Sequence, residues 1–149
     1  MGIRHDSREL ALQFLYQQDV NSRYPGDVEK AFTDFWKMEE HDSTVRAFAE
    51  TLAKSVVQHR EELDLKIKAY AKNWDFHRIA VVDRNILRLA IYELLFREDI
   101  PPVVSINEAI ELAKKFSTED SGRFVNGILD RVKMELSRPL RSGVEKDRP

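Results

Sequence analysis

Apolar residues recur at spacings of three and four along almost the whole chain, and no run alternates in the manner of a strand for more than a few residues. The pattern predicts an all-α protein. A first helix is expected from about Arg4 to Val20, with Leu10, Ala11, Phe14 and Leu15 inward, stopping near Pro25-Gly26. A second follows Asp27 as its cap and carries the stripe Val28, Ala31, Phe32, Phe35 and Trp36 before the polar stretch Glu39 to Asp42. Ser43 or Asp42 caps a third, where Val45, Phe48, Ala49, Leu52, Ala53, Val56 and Val57 hold the period. Residues His59 to Asp64 contain no breaker, and a bend there is expected to lead into Leu63, Ile67, Tyr70 and Ala71.

From Asp75 to Phe96 the chain is apolar on nearly all sides, which predicts the most enclosed helix. Pro101-Pro102 predicts a loop, and Ser105-Ile-Asn-Glu108 matches a capping box opening a sixth helix. A further start signal at Ser117 to Ser121 precedes a last helix burying Phe124, Val125, Ile128, Leu129, Val132 and Leu136. Gly127 inside it costs about 1 kcal/mol of helix propensity, which points to close contact with another helix. The expected architecture is a compact bundle of about seven helices in two helical subdomains divided near Tyr70 to Asp75, packed on one shared core. Residues 1–139 read as one domain, and the polar tail from Leu140 to Pro149 reads as disordered.

Composition narrows the class. At 149 residues one domain suffices. No cysteine is present, so neither a disulfide scaffold nor a thiolate metal site is available, which suits a reducing cytoplasmic location. Met1 to Leu12 lack the pattern of a signal peptide, and Ile79 to Phe96 is interrupted by Asp83, Arg84, Arg88 and Glu93, so no membrane span is expected. A formal net charge of −2 argues against nucleic-acid binding by bulk electrostatics, so any such site must be local.

Candidate chemistry is sparse. Gly122-Arg-Phe-Val-Asn-Gly127 has the glycine spacing of a phosphate loop but continues Ile128-Leu129 where lysine and a hydroxyl residue are needed. His5, His41, His59 and His77 are scattered without ligand spacing, which supports no metal centre. The acidic pairs Glu39-Glu40, Glu61-Glu62 and Glu119-Asp120 fit helix ends and solvated faces. No nucleophile elbow is present either. The expectation is a recognition protein, without catalytic residues or a cofactor.

Three segments carry a family resemblance. Arg4-His-Asp-Ser-Arg8-Glu-Leu-Ala-Leu-Gln-Phe-Leu-Tyr16 resembles the arginine-rich opening of the NusB transcription antitermination family. The stretch from Asn73-Trp-Asp-Phe-His to Tyr92-Glu93-Leu is similar to that family's central helices. Pro102-Val-Val-Ser-Ile-Asn-Glu-Ala-Ile-Glu-Leu-Ala-Lys-Lys-Phe-Ser-Thr-Glu-Asp-Ser-Gly-Arg-Phe-Val-Asn-Gly-Ile-Leu-Asp130 resembles the family signature throughout.

The resemblance implies a cytoplasmic factor that acts in antitermination of ribosomal RNA operons. It would bind single-stranded boxA RNA with NusE, a ribosomal protein of the small subunit, in a complex with RNA polymerase and other Nus factors. A homodimer that masks the arginine face is also open. Two other readings compete: a NusB-like accessory domain of the kind found in RNA cytosine methyltransferases, and a helical protein-interaction adaptor without RNA affinity. No methyltransferase domain follows Pro149 in this sequence, so a stand-alone factor is expected.

The residues themselves leave more than one role open. Arg4 and Arg8 lie four apart and share a helix face on which phosphates can be held; they also read as solvated arginines beside Asp6 and Glu9. Tyr16 offers a ring for stacking or a core filler. The amides opening the last helix can receive an anion, with Arg123 one turn in. By resemblance Asp120, Arg123 and Phe124 join this surface, although Asp120 equally reads as an N-cap and Phe124 as core, and Asn126 is similarly ambiguous.

The family commonly opens with two adjacent arginines, any residue, alanine and a further arginine, where this chain has Arg4, His5, Asp6, Ser7 and Arg8. The isolated protein is therefore expected to bind RNA weakly and more tightly as His5 gains a proton. Asp83 and Glu93 are the expected contacts to the basic partner NusE, Asp83 by resemblance. An Asp83→Lys reversal is expected to abolish the heterodimer without loss of helicity.

Overall fold

A computed structural model describes residues 2–21, 26–38 and 41–141. Among these it contains seven α-helices, one 3-10 turn and no strand, as the periodicity requires. The chain forms two compact units, residues 1–60 and 61–149. The division falls earlier than Tyr70 to Asp75 because the fourth helix is tied into the second unit: Asp64 receives Arg88 Nε at 2.6 Å and Nη2 at 2.9 Å.

The first unit holds α1 (Ile3–Val20), α2 (Val28–Met38) and α3 (Ser43–Gln58). Asp27 opens α2 by accepting the Lys30 amide, and Asp42 opens α3 by accepting the Thr44 amide at 2.8 Å, each side-chain oxygen satisfying a donor that the helix leaves unpaired. The aromatic stripe of α2 is core: Phe32 stacks on Phe14 with ring centroids 3.7 Å apart, and Phe35 and Trp36 meet it edge-on and stacked. Burying each such ring stabilises the unit by roughly 2–3 kcal/mol, and Phe14→Ala would cost about 3–5 kcal/mol. Phe48 and Val57 are only half-buried, so the inner face of α3 is narrower than its periodicity predicts. Pro25 and Glu39-Glu40 lie outside the described residues.

Helix α3 breaks at His59, whose amide still reaches the Ser55 carbonyl at 3.0 Å, and α4 (Arg60–Tyr70) begins at once. In the second unit the region from Asp75 is not one helix. Asp75 caps a 3-10 turn, Phe76–Arg78, and α5 (Val81–Phe96) starts separately. Helix α5 is the enclosed element, with Asp83 and every residue from Asn85 to Leu94 buried; α6 (Pro102–Phe116) and α7 (Glu119–Met134) pack on it.

Two expectations about α6 are corrected. Pro102 is its first residue rather than part of a loop, because proline lacks only an amide that the first turn leaves unpaired anyway. Ser105 therefore lies inside the helix, and its hydroxyl donates to Glu93 Oε1 at 2.7 Å instead of capping.

The chain after α7 does not begin to loosen at Leu140. The Leu140 carbonyl accepts the Val103 amide at 2.9 Å, and Arg138 donates to the carbonyls of Ile100 at 2.9 Å and Leu94 at 3.0 Å. Orphan groups at the start of α6 and the end of α5 are thereby satisfied. Burial pushes the Arg138 pKa below its ordinary value, against the opposing pull of Glu98 and Asp99. The remainder of the expected disordered tail, residues 142–149, lies outside the described residues.

Candidate nucleic-acid interface

In the first unit the candidate residues come from α1. Arg4 is exposed, and its guanidinium sits 5.0 Å from the centre of the Phe48 ring, a cation–π contact that holds the charge against α3. His5 is half-buried, with Nε2 3.2 Å from Glu9 Oε1. Ser7, in the place where the family opening has alanine, is fully buried; its hydroxyl lies 2.7 Å from the Ile3 carbonyl and 3.0 Å from that of Val45. Only a small side chain fits there, and the hydroxyl ties α1 to α3.

Arg8 departs from expectation. Only 3% of it is exposed, so it does not stand beside Arg4 as a second surface charge. Helical spacing brings the two close in azimuth, but the side of α1 at Arg8 turns under its packed face. Tyr16 is 42% exposed and not core. Eleven residues make about three turns, so Tyr16 lies in line with His5 rather than Arg8, roughly 16 Å further along the axis.

The second unit contributes the start of α7. Thr118, not Asp120, is its N-cap, accepting the Ser121 amide at 3.0 Å. Ser121 in turn donates to the buried carboxylate of Asp83 at 2.9 Å and lies 2.8 Å from the Ser117 hydroxyl. Asp120 is exposed and pairs with exposed Arg123. This helix start is a poorer anion site than its amides alone suggest, because Thr118 takes one donor and the carboxylates of Glu119 and Asp120 occupy the first turn. Arg123 and the half-buried Asn126 line a shallow hollow of about 340 Å³ with Lys114 and Gly122.

Phe124 is half-buried rather than core, and its ring meets the indole of Trp74 edge-on at 5.1 Å. Trp74 itself is 60% exposed. Helical spacing does not predict Trp74 as a site residue; its signal in the sequence is an indole in a short non-helical link, outside every apolar period. Gly127 also corrects an expectation, because nothing lies within 4 Å of the position a side chain would take. The glycine borders open space rather than a neighbouring helix.

Neither expected partner contact is a surface residue. Asp83 is buried, with one carboxylate oxygen on Ser121 and the other unpartnered among the described residues. Glu93 is 1% exposed and takes the Ser105 hydroxyl. Both lie on faces of α5 covered inside the second unit, a consequence of α5 being apolar on nearly all sides. Among the described residues no His, Asp and Glu cluster can hold a metal ion, and no helix is long and apolar enough to cross a membrane. The loop-like Gly122–Gly127 spacing is ordinary α7 helix.

Comparison with known proteins converges on one family. The NusB family model matches residues 5–134. Transcription antitermination protein NusB of Methylacidiphilum infernorum is 47% identical over 135 residues, covering 91% of this chain and 93% of the relative. The solved structure of T. maritima NusB is similar at TM-score 0.78 and 35% identity, over 93% of this chain and 94% of that one. A chain from a structure of antitermination factors NusB and NusE in complex with double-stranded RNA matches at TM-score 0.79 and 27% identity, over 91% of this chain and 99% of its own length. With the family model spanning most of its length and relatives near half identical, this chain belongs to the NusB family.

Proposed function

We propose that this protein is a cytoplasmic transcription antitermination factor that binds the boxA signal of nascent ribosomal RNA together with the ribosomal protein NusE, in a complex with RNA polymerase and other Nus factors. The observation that carries the reading is the near full-length likeness to proteins named for antitermination and to a chain from a structure of antitermination factors NusB and NusE with double-stranded RNA. Cationic and aromatic side chains in each unit support it: exposed Arg4 and Tyr16 with half-buried His5 on α1, and exposed Arg123 with half-buried Phe124 on α7, Asp120 holding Arg123. Single-stranded RNA is recognised by this mix of charge and ring surface.

Arg8, only 3% exposed, lies beneath this face of α1 rather than on the surface that meets phosphate. Asp83 supports the start of α7 through Ser121. The contacts to NusE therefore fall on residues other than Asp83 and Glu93. With only Arg4 and Arg123 as exposed permanent cations among these assigned residues, affinity for RNA alone is weak, and a partner that engages the same RNA adds contacts.

Fluorescence anisotropy with labelled boxA RNA and a scrambled control, with and without NusE and at two salt concentrations, tests the proposal. The expected result is preference for boxA that strengthens with NusE and weakens with salt. Equal or absent binding to both RNAs in every condition sinks it.

A further inference from the structure

One face of α7 presents an aromatic ring, a gap and a cation in succession. Phe124, Gly127, Ile128 and Arg131 follow one another at helical spacing, so they line a single stripe about two turns long. Trp74 and Lys72 wall the opposite side of an open cleft of about 170 Å³. It has room for several waters and suits one planar ring system. Its floor is Gly127, exposed and with nothing within 4 Å of where a Cβ would project. A glycine in mid-helix costs stability, and no close packing explains this one.

The rim is cationic. Arg131 is exposed and held by a bond to the Tyr70 carbonyl, which leaves further N–H donors of its guanidinium for a ligand. Lys72 has no acidic partner among the described residues. Past Arg131 the surface continues as a groove of about 650 Å³ between Lys66 and Lys72, with Glu135 its only acidic side chain. An exposed indole beside cations in a cleft with few carboxylates favours an anionic chain carrying flat rings, and disfavours a basic protein partner.

We propose that this cleft takes one unstacked base of single-stranded RNA, with Trp74 against the base and Arg131, Lys72 and Lys66 on the neighbouring phosphates. The site extends the RNA path beyond the residues already assigned, and it rests on the reading of the protein as an RNA-binding factor. Gly127 is the specificity-determining position, because any side chain there fills the space the base occupies.

The experiment uses the full chain and boxA RNA extended by four uridines at each end, alongside the unextended RNA. Gly127→Leu is the decisive variant, since it closes the cleft while improving helix propensity, and an unchanged unfolding midpoint separates lost binding from lost folding. Gly127→Leu and Trp74→Ala are each expected to weaken the extended complex about tenfold, and Gly127→Leu to leave the unextended one within about twofold. A 5-iodouridine extension should crosslink to Trp74 in the wild-type protein.

If the wild-type protein binds boxA while both variants bind the extended RNA equally well and Trp74 takes no crosslink, the cleft assignment is overturned and the antitermination reading stands. If Gly127→Leu keeps its RNA affinity but loses NusE, the cleft is a protein contact and the assignment again fails. Absence of wild-type binding to any RNA, with or without NusE, removes both.

Discussion

Helices α1 and α7 each bring positive charge next to aromatic rings, yet they use it differently. In α1 only Arg4 is exposed, and it lies over Phe48, while His5 sits half-buried beside Glu9 and Arg8 is buried. In α7 Arg123, paired with Asp120, and Arg131, bonded to the Tyr70 carbonyl, are both exposed, beside a tryptophan that is itself mostly in solvent. The arginine-rich opening looks stronger on paper, but a motif counts charges and not how many face water. The thinner motif of the second unit has more charge available to a ligand.

The largest expected effect tests what supports the second of these regions. Asp83→Lys puts a cation where a buried carboxylate receives Ser121, and it should destabilise the protein by about 3 kcal/mol or more. Thermal unfolding reads this directly, and an unchanged midpoint would contradict the buried assignment. The variant therefore reports on folding and not selectively on NusE.

Next comes a paired test on α1. Arg8→Ala should cost about 2 kcal/mol, through lost packing and the groups left behind by a buried guanidinium. Arg4→Ala should cost less than about 0.5 kcal/mol while weakening RNA. Denaturant titration of the two variants distinguishes them, and equal stability losses would erase the proposed difference between the two arginines.

Ser121→Ala removes a hydroxyl that links Asp83, Ser117 and the start of α7. A loss of about 1–2 kcal/mol is expected, because the Asp83 carboxylate is left unpaired. Arg123→Gln should barely change stability but should lower the slope of log affinity against log salt by about 0.7, the value for one phosphate contact on a single strand. An unaltered slope would remove Arg123 from the RNA surface.

The smallest effect belongs to His5. Its ring nitrogen lies 3.2 Å from Glu9 and is only partly exposed, so His5→Ala should weaken RNA by less than about threefold. A tenfold loss in the same anisotropy titration would make the histidine a principal contact.

Local physics made much of the fold readable. The Phe32, Phe35 and Trp36 stripe, the caps Asp27 and Asp42, and the break at His59 each depend on residues within one or two turns, and they appear where spacing predicts. Misreadings arose where one local pattern fits two structures. Ser105 to Glu108 satisfies a capping box, but the helix starts three residues earlier because proline is compatible with a first turn. Gly127 signals a missing side chain without saying whether another helix or empty space lies beyond it.

By itself the sequence determined the all-helical class, the family, the apolar faces and the cations near the starts of α1 and α7, because periodicity, capping and composition act over a few residues. Tertiary structure alone decided which of those charges remain in solvent. Arg8, Asp83 and Glu93 are charged residues on amphipathic or fully apolar helices, and their burial depends on which helix covers that face. Exposure of Trp74 and the open space over Gly127 have the same origin: they are properties of surfaces formed by segments distant in the chain, which no local spacing encodes.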